Sequence, residues 1–160
     1  MKILVVSDTH GRDGNLERVL QKVKPIDALI HCGDVEGRED YIPLVAECPA
    51  YMVAGNNDFF SELDRELELD LGGHRLLVTH GHNYGVNIDL SRIIEEAAAR
   101  KKDIVLFGHT HKPVVTYKET VTAVNPGSLS YPRQEGRRPS YAIMEIDHRG
   151  EVHFTINYLR

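Results

Sequence analysis

The stretch KILVVSDTH (residues 2–10) decides the fold, and the rest of the chain repeats its pattern. Ile3 to Val6 form an uninterrupted apolar run, which is typical of a strand buried on both faces of a parallel sheet. The run stops at Ser7, and Asp8 and His10 follow directly. The sequence therefore predicts a buried strand whose carboxyl end carries two side chains able to bind a metal ion.

Four further apolar runs end in the same way. The segments that follow them are Gly33-Asp34, Gly55-Asn56-Asn57-Asp58, His80-Gly81-His82 and Gly108-His109-Thr110-His111. In α/β sheets the carboxyl ends of the strands face the crevice where ligands bind, so these side chains are expected to converge. Each segment alone is compatible with an ordinary turn, but metal-binding residues at five strand ends together predict a metal site.

The donor atoms of these segments indicate which metals the site would hold. The candidate ligands are Asp8, His10, Asp34, Asn56, His80, His109 and His111. Mixed imidazole and oxygen ligands favour transition metals over magnesium or calcium alone. So many ligands exceed the needs of one ion and fit two ions about 3.5–4 Å apart that share a carboxylate, as used for in-line attack at phosphorus. We therefore expect two divalent ions per chain, manganese first, with iron, zinc, nickel or cobalt as alternatives.

The length and composition exclude several other classes of protein. The chain has 160 residues, of which 41% are hydrophobic and 27% charged, so a single globular domain over residues 1–160 is expected. A net charge of −5 disfavours broad electrostatic binding to nucleic acid or to an anionic membrane. No apolar run suits a signal peptide or a membrane span, and Cys32 and Cys48 alone give no disulfide framework. A cytoplasmic location is expected.

Apolar periodicity places helices and strands around the metal motifs. Helices are predicted over residues 14–24 and 40–47 and from Asp89 or Ser91 onward, and strands over residues 2–6, 28–32, 51–54, 66–71, 75–78 and 103–107. Gly72-Gly73 joins two of these strands as a hairpin, and residues 114–159 carry mostly strand signals. The fold class is therefore α/β, with two sheets packed together and helices outside.

Other conspicuous side chains receive less specific interpretations. Three histidines are assigned to turns or outer strand faces at the surface, namely His74, His148 and His153. His31 is expected to be a core histidine, and its neighbour Cys32 a buried small side chain. Phe59 and Phe60 either line a pocket for a base or an aryl group or belong to the core.

The combined motifs resemble those of the calcineurin-like metallophosphoesterase family. That family's signature is Asp-x-His, Gly-Asp, Gly-Asn-x-Asp/Glu, an intervening His and Gly-His-x-His, in the order found here between residues 8 and 111. Asn125-Pro126-Gly127-Ser128 also resembles a turn of the small YfcE-type phosphodiesterases of bacteria and archaea. The resemblance implies a four-layer α/β/β/α sandwich of two mixed sheets flanked by helices, with no cap domain.

The resemblance also assigns the ligands to two ions. It implies that the first ion is held by Asp8, His10, Asp34 and His111. It implies that the second is held by Asp34, Asn56, His80 and His109, so that Asp34 bridges the two. Water bound by such ions becomes hydroxide near neutral pH and attacks the phosphorus of a small phosphate ester, which makes a phosphodiesterase the expected enzyme. A homodimer is expected from the resemblance alone.

One position departs from the family pattern. Many members have a His directly after the Gly-Asn pair, placed to stabilise the transition state or to protonate the leaving group, whereas this chain has Asn57. An amide donates a hydrogen bond but transfers no proton. Asn57 and His82 are therefore the candidate catalytic contacts. Arg133 is interpreted as a solvated surface side chain in preference to a phosphate contact.

Two alternative functions stay open. One is a phosphomonoesterase, for which no extra cationic contacts can be identified in the sequence. The other is a non-catalytic interaction scaffold on the same fold, as in the small subunit of retromer, which resembles these enzymes but lacks a full ligand set.

Overall fold

Alternating burial along the strands explains how the chain divides into layers. In the computed structural model, which describes residues 1–160, Leu4 and Val6 pack against helices, while Ile3 and Val5 pack against a second sheet. Successive strand residues point to opposite faces, so a strand that is apolar on both faces needs a cover on each. A strand with this sequence therefore lies in the middle of three layers, with one layer packed on each of its two faces.

Two five-stranded sheets and three α-helices form these layers. The elements are β1 (Lys2–Val6), α1 (Gly14–Val23), β2 (Ala28–His31), α2 (Tyr41–Ala46), β3 (Ala50–Met52), β4 (Glu66–Leu71), β5 (His74–Thr79), α3 (Ser91–Ala99), β6 (Ile104–Leu106), β7 (Val114–Lys118), β8 (Val121–Asn125), β9 (Ser140–Ile146) and β10 (Val152–Tyr158). The first sheet has the order β10-β9-β1-β2-β3, and the second has the order β4-β5-β6-β8-β7.

Three apolar clusters fill the spaces between four layers. The first joins α1 and α2 to the first sheet, the second joins the two sheets, and the third joins α3 to the second sheet. In β5, Leu76 and Val78 face the first sheet, whereas Leu77 faces α3. The predicted α/β/β/α sandwich of two mixed sheets is confirmed.

Parallel pairing determines where the metal motifs lie. β1 pairs with β2 and β2 with β3 in parallel, so the three strands of the first sheet end at one edge. In the second sheet β5 and β6 are also parallel. All five candidate segments therefore follow the carboxyl ends of parallel strands, as the sequence predicted.

The structure corrects several details of the sequence interpretation. His74 lies in strand β5 and not in a turn, and its half-buried ring contacts Asp103 Oδ2 at 2.6 Å and the carbonyl of Gly150 at 2.7 Å. Phe59 and Phe60 do not belong to the core, since they are 78% and 101% exposed. The strands predicted over 28–32 and 51–54 end at His31 and Met52. No helix combines the length and apolar character needed to cross a membrane.

Candidate metal centre

The loops that carry the candidate ligands have an unusual backbone. Five of the ligand residues adopt left-handed conformations, at φ values of 55° for Asp8, 50° for His10, 59° for Asp34, 72° for His109 and 60° for His111. Side-chain-bearing residues seldom adopt this region and do so at some energetic cost. Such strain concentrates at functional sites, where the surrounding structure must hold it in place.

Asp8 lies at the centre of the site and is fully buried. Its Oδ2 atom accepts hydrogen bonds from Ser7 Oγ at 2.6 Å and from the backbone N–H of His109 at 3.0 Å. Its Oδ1 atom has no hydrogen-bond partner and instead faces imidazole nitrogens. The Nε2 atoms of His111, His10 and His80 lie 3.2, 3.7 and 3.7 Å from it.

The Nε2 atoms of His10 and His111 face each other at a distance of 3.2 Å. The other ring nitrogen of His111 donates a hydrogen bond to the carbonyl of Tyr131 at 2.7 Å, and that of His10 donates to Glu36 Oε1 at 3.1 Å. Because each Nδ1 carries the proton, each Nε2 presents a lone pair to the site. Such partners fix the orientation of metal-binding imidazoles and raise their basicity.

Asp34 and His80 form the neighbouring part of the site. His80 is fully buried and donates from Nδ1 to the carbonyl of Cys32 at 2.7 Å, which leaves its Nε2 atom without a partner. That Nε2 atom lies 3.4 Å from Asp34 Oδ2, and His10 Nε2 lies 3.7 Å from the same oxygen. Asp34 thus stands between the two groups of ligands, the position that a bridging carboxylate needs.

Asn56 and His109 complete the set from opposite sheets. Asn56 Oδ1 lies 3.1 Å from His109 Nδ1, and the His109 ring lies 5.2 Å from the ring of His80. All seven predicted ligands therefore meet at one edge of the sandwich. Binding of metal by these residues stays a prediction, for which the donor geometry provides a test.

The donor atoms fit divalent cations. The ligand atoms form two groups, and within each group all atoms lie within 4.8 Å of one another. One group comes from Asp8, His10 and His111, and the other from Asp8, Asp34 and His80. Buried polar atoms rarely lack a partner, yet Asp8 Oδ1 and His80 Nε2 both do, and both point into the site. Converging carboxylates and imidazole nitrogens of this kind are a donor set that a divalent cation would suit.

Two glycines make room for this arrangement. A Cβ atom on Gly55 would lie 2.1 Å from Asp34 Oδ1, and one on Gly108 would lie 2.7 Å from Asp8 Oδ2. Both distances are too short for a contact between non-bonded atoms, so a residue with a Cβ atom would not fit at either position. Glycine at these two positions therefore lets the backbone approach each carboxylate closely.

The charges of the site shift the pKa values of its members. Burial alone would raise the pKa of Asp8, but the contact with His111 and the charge of His80 bring it below its ordinary value. Burial alone would lower the pKa of His80, but the contact with Asp34 and the charge of Asp8 raise it. Burial and the charge of His80 lower the pKa of His109. The two carboxylates and the His80 ring thus favour each other's charged forms.

The candidate catalytic contacts lie beside these ligands. Asn57 donates to Asp34 twice, from its backbone N–H to Oδ1 at 2.9 Å and from its side-chain amide to Oδ2 at 3.2 Å. The amide is therefore directed at a ligand carboxylate. The ring of His82 lies 5.4 Å from that of His80 and 6.0 Å from that of His109. Its Nδ1 atom is buried without a partner, and burial lowers its pKa. Catalytic roles for both residues stay predictions.

Asp58 has a structural role that the sequence did not indicate. Its Oδ2 atom accepts backbone hydrogen bonds from Asp34 at 2.9 Å, Val35 at 3.2 Å and Gly55 at 2.7 Å, and its Oδ1 atom accepts one from Glu36 at 2.7 Å. One carboxylate thus fastens the loop after β2 to the loop after β3. A carboxylate so close to a metal motif looks like a ligand, so no local signal distinguishes the two roles.

The Asn125-Pro126-Gly127-Ser128 turn connects the two sheets at the site. Ser128 Oγ donates to the carbonyl of Asp8 at 2.8 Å, in the first sheet. The Asn125 side chain donates to the carbonyl of Gly108 at 3.0 Å and to Thr110 Oγ1 at 2.9 Å, in the second. The turn therefore sets the distance between the loops that carry Asp8 and His111.

Comparisons with known proteins agree with this geometry. The model of the calcineurin-like phosphoesterase superfamily domain matches residues 1–149. The chain is 34% identical to "Probable metallophosphoesterase YsnB" of Bacillus subtilis, over 92% of this chain and 85% of that one. It is 32% identical to "Phosphodiesterase YfcE" of Escherichia coli K12, over 92% and 89%.

Solved structures show the same fold. The crystal structure of a predicted phosphoesterase from Streptococcus pneumoniae superposes with a TM-score of 0.80 at 30% identity, covering 98% of this chain and 97% of that one. Vps29 of Entamoeba histolytica, crystallised with Zn²⁺, has a TM-score of 0.75 at 22% identity and 99% coverage of both chains. The second likeness concerns the fold alone.

Proposed function

We propose that this chain, which belongs to the calcineurin-like phosphoesterase superfamily, hydrolyses small phosphodiesters with the help of two divalent ions. Membership of the superfamily makes a phosphoester hydrolase its general class. The preference for diesters is supported by the likeness to YfcE, which is named a phosphodiesterase. A small phosphate ester is the proposed substrate, and manganese is the metal we would test first.

One observation carries the proposal. Asp8 Oδ1 and His80 Nε2 are buried atoms without partners, and the Nε2 atom of His111 lies 3.2 Å from that same Asp8 oxygen. A protein that used this fold only as a scaffold would have no reason to bury such atoms unpaired. In the proposed site Asp8, His10 and His111 would hold one ion, Asn56, His80 and His109 would hold the other, and Asp34 would serve both.

When bound, the two ions would supply a nucleophile from water and would offset negative charge on the phosphoryl oxygens. The chain's own residues do the positioning. Glu36 and the carbonyls of Cys32 and Tyr131 keep three imidazoles facing inward. Asn57 donates one hydrogen bond to each carboxylate oxygen of Asp34, and the two bonds together fix the plane of that carboxylate.

The chemistry of Asn57 restricts the substrates. Its amide donates a hydrogen bond to Asp34 or to a phosphoryl oxygen, but it transfers no proton to a departing alkoxide. His82 is the other imidazole near the ligands, and its lowered pKa leaves it neutral near pH 7. We therefore expect the enzyme to favour esters of acidic alcohols or phenols, whose oxygens depart without protonation.

The test is metal-dependent turnover of bis(p-nitrophenyl) phosphate, a diester with an acidic leaving group. Protein stripped of metal should be inactive, and adding Mn²⁺ should restore turnover. The matched control is Asp147→Asn, which removes an acidic side chain of the turn after β9 and should leave turnover unchanged. Lack of turnover with Mn²⁺, Co²⁺, Ni²⁺ and Zn²⁺ would contradict the proposal.

The structural likeness to Vps29 keeps one alternative open, an interaction scaffold on the same fold. That alternative predicts a protein that is stable without metal and inactive with it. The phosphomonoesterase alternative predicts that p-nitrophenyl phosphate is hydrolysed faster than the diester. Measuring both substrates in one metal series therefore separates the three functions.

A further inference from the structure

A groove of about 650 Å³ opens beside the candidate metal centre. It is lined by His10 and His111, two of the proposed ligands, which are largely buried, and by Arg133 and Arg137, which are exposed. Tyr131 and Glu36 also line it. A substrate whose phosphorus sits at the metal centre would therefore extend past these arginines if it entered along the groove.

The arginines of the groove are free to bind an anion. No carboxylate oxygen lies within 4.0 Å of the side chains of Arg133 or Arg137, whereas Arg38 and Arg100 elsewhere in the chain make close ion pairs. A third unpaired guanidinium, that of Arg12, lies over the ring of Tyr131 at 5.2 Å from its centroid. Two unpaired arginines thus line one groove of a protein whose net charge is −5, and a third lies against Tyr131, one of the lining residues.

The single acid of the groove does not cancel them. Glu36 Oε1 lies 3.1 Å from His10 Nδ1 and is engaged with that ring. Two arginines against one glutamate leave the lining of the groove with a net formal charge of +1, not counting the buried Asp8 and Asp34 behind His10 and His111. Clefts lined by one sign of charge attract ligands of the opposite sign.

The backbone holds these arginines in a defined place. The N–H of Arg133 donates to the carbonyl of His111 at 3.0 Å, so Arg133 is tied directly to a proposed ligand. The N–H of Arg137 donates to the carbonyl of Gln134 at 3.0 Å, and the Gln134 side chain donates to the carbonyl of Arg138 at 2.6 Å. A loop closed by these bonds presents both guanidinium groups from one short segment.

We infer that this groove is a subsite for a second phosphate group of the substrate, bound by Arg133 and Arg137. The inference rests on the proposed function, because the first phosphate occupies the metal centre. Guanidinium groups bind phosphate through paired hydrogen bonds, and two of them match the double charge of a terminal phosphate. The preferred substrates would then be phosphodiesters that carry an additional phosphomonoester.

Calorimetry on the Mn²⁺-loaded protein tests the subsite without requiring turnover. The probes are thymidine 5′-monophosphate and thymidine 3′,5′-bisphosphate, which differ only in the second phosphate. The wild type should bind the bisphosphate about tenfold more tightly, and added salt should reduce the difference. In the double variant R133Q/R137Q the two dissociation constants should become equal, while that of the monophosphate stays unchanged.

The matched control is Arg149→Gln, which removes an exposed arginine from the turn after β9 and should keep the tenfold preference. Equal affinities in the wild type, no measurable binding of the bisphosphate, or a preference that survives in R133Q/R137Q would each overturn the inference. Turnover of bis(p-nitrophenyl) phosphate, which has no second phosphate, should be the same in Arg149→Gln as in the wild type. If the wild type shows the binding preference but no turnover, the subsite stands and the proposed enzymatic function fails.

Discussion

The two sheets contribute different chemistry to the metal centre. The loops of the first sheet supply all the oxygen donors and one imidazole, namely Asp8, Asp34, Asn56 and His10, whereas the second supplies only imidazoles, namely His80, His109 and His111. The first sheet offers a single imidazole and the second no oxygen donor, so the full mixed set of ligands needs both sheets. The site therefore exists only where the two sheets pack correctly.

The two sets are also held in place differently. In the first sheet one side chain, Asp58, fastens two loops by accepting four backbone hydrogen bonds. In the second, main-chain carbonyls orient the rings, as those of Cys32 and Tyr131 do for His80 and His111. A side-chain fastener is removed by one substitution, but a carbonyl is not. We therefore expect the first sheet's loops to be the more vulnerable to mutation.

Loss of Asp34, the carboxylate proposed to bridge the two ions, should have the largest effect. Asp34→Ala removes the carboxylate assigned to both ions, whose Oδ2 atom lies 3.4 Å from His80 Nε2 and 3.7 Å from His10 Nε2. Turnover of bis(p-nitrophenyl) phosphate should fall by about a thousandfold or more, and the metal content should drop toward zero. Turnover and elemental analysis of the same preparation check both. Full turnover in this variant would refute the bridging role.

A further prediction compares one imidazole from each sheet, His10 from the first and His80 from the second. His80→Ala and His10→Ala should both reduce metal content, but their effects on the metal-free protein should differ. His80 is fully buried, and its removal leaves a cavity and an unpaired Cys32 carbonyl, which should lower the free energy of unfolding by about 3 kcal/mol. His10 is partly exposed, so its loss should cost about 1 kcal/mol. Urea denaturation measures both, and equal losses would contradict the difference in burial.

Removing the fastener of the first sheet should have a smaller effect. Asp58→Asn keeps the size of the side chain but turns one acceptor into a donor that faces backbone N–H groups. The free energy of unfolding should fall by about 2 kcal/mol, and the affinity for metal should fall with it. The matched control is Asp64→Asn in the following segment, a change that should leave metal affinity as in the wild type. Unchanged metal affinity in Asp58→Asn would show that the loops hold their shape without this carboxylate.

The smallest effect concerns the end of the sandwich opposite the site, where His74 of the second sheet contacts Gly150 of the first. Burial alone would lower the pKa of His74, but the bonds to Asp103 and to the Gly150 carbonyl raise it above its ordinary value of 6.5. The protonated ring therefore stabilises the fold fully below pH 6.5, and this stability is lost as pH rises through the raised pKa. In metal-free protein, His74→Gln should flatten the dependence of unfolding free energy on pH above pH 6.5. An unaltered pH profile would exclude a stabilising charge at this contact.

Much of this architecture could be predicted because β1, β2, β3, β5 and β6 carry their own signals. Each is a buried apolar run that ends in a ligand, and parallel pairing brings such ends to one edge. The partners of β9 and β10 could not be predicted. Their sequences indicate strands, but only long-range pairing of Leu4 with Ile143 places them in the first sheet. Local periodicity contains no information about such partners.

The candidate site was predictable to a similar degree. The ligands stand out because their types recur after strands, whereas the residues that orient them look ordinary. Glu36 resembles any exposed loop acid, and its role depends on a contact with His10 across 26 positions of sequence. The exposure of Phe59 and Phe60 was equally hidden, since apolar residues after a strand are more often buried. The position of Arg133 beside the site depends on a hydrogen bond from its backbone N–H to the carbonyl of His111, which the sequence does not indicate.

The position of β1 between β2 and β9 has a consequence for how the protein is made. During synthesis β1 finds β2 early, but its other edge waits until residues 140–146 have left the ribosome. Loop-closure entropy makes such distant pairing slow, and the open edge is meanwhile prone to aggregation. Asp8 and Asp34 thus emerge long before His111, so the nascent chain offers metal ions an incomplete set of ligands. Binding of metal at the proposed site would therefore be a late event of maturation, after β1 has paired with β9.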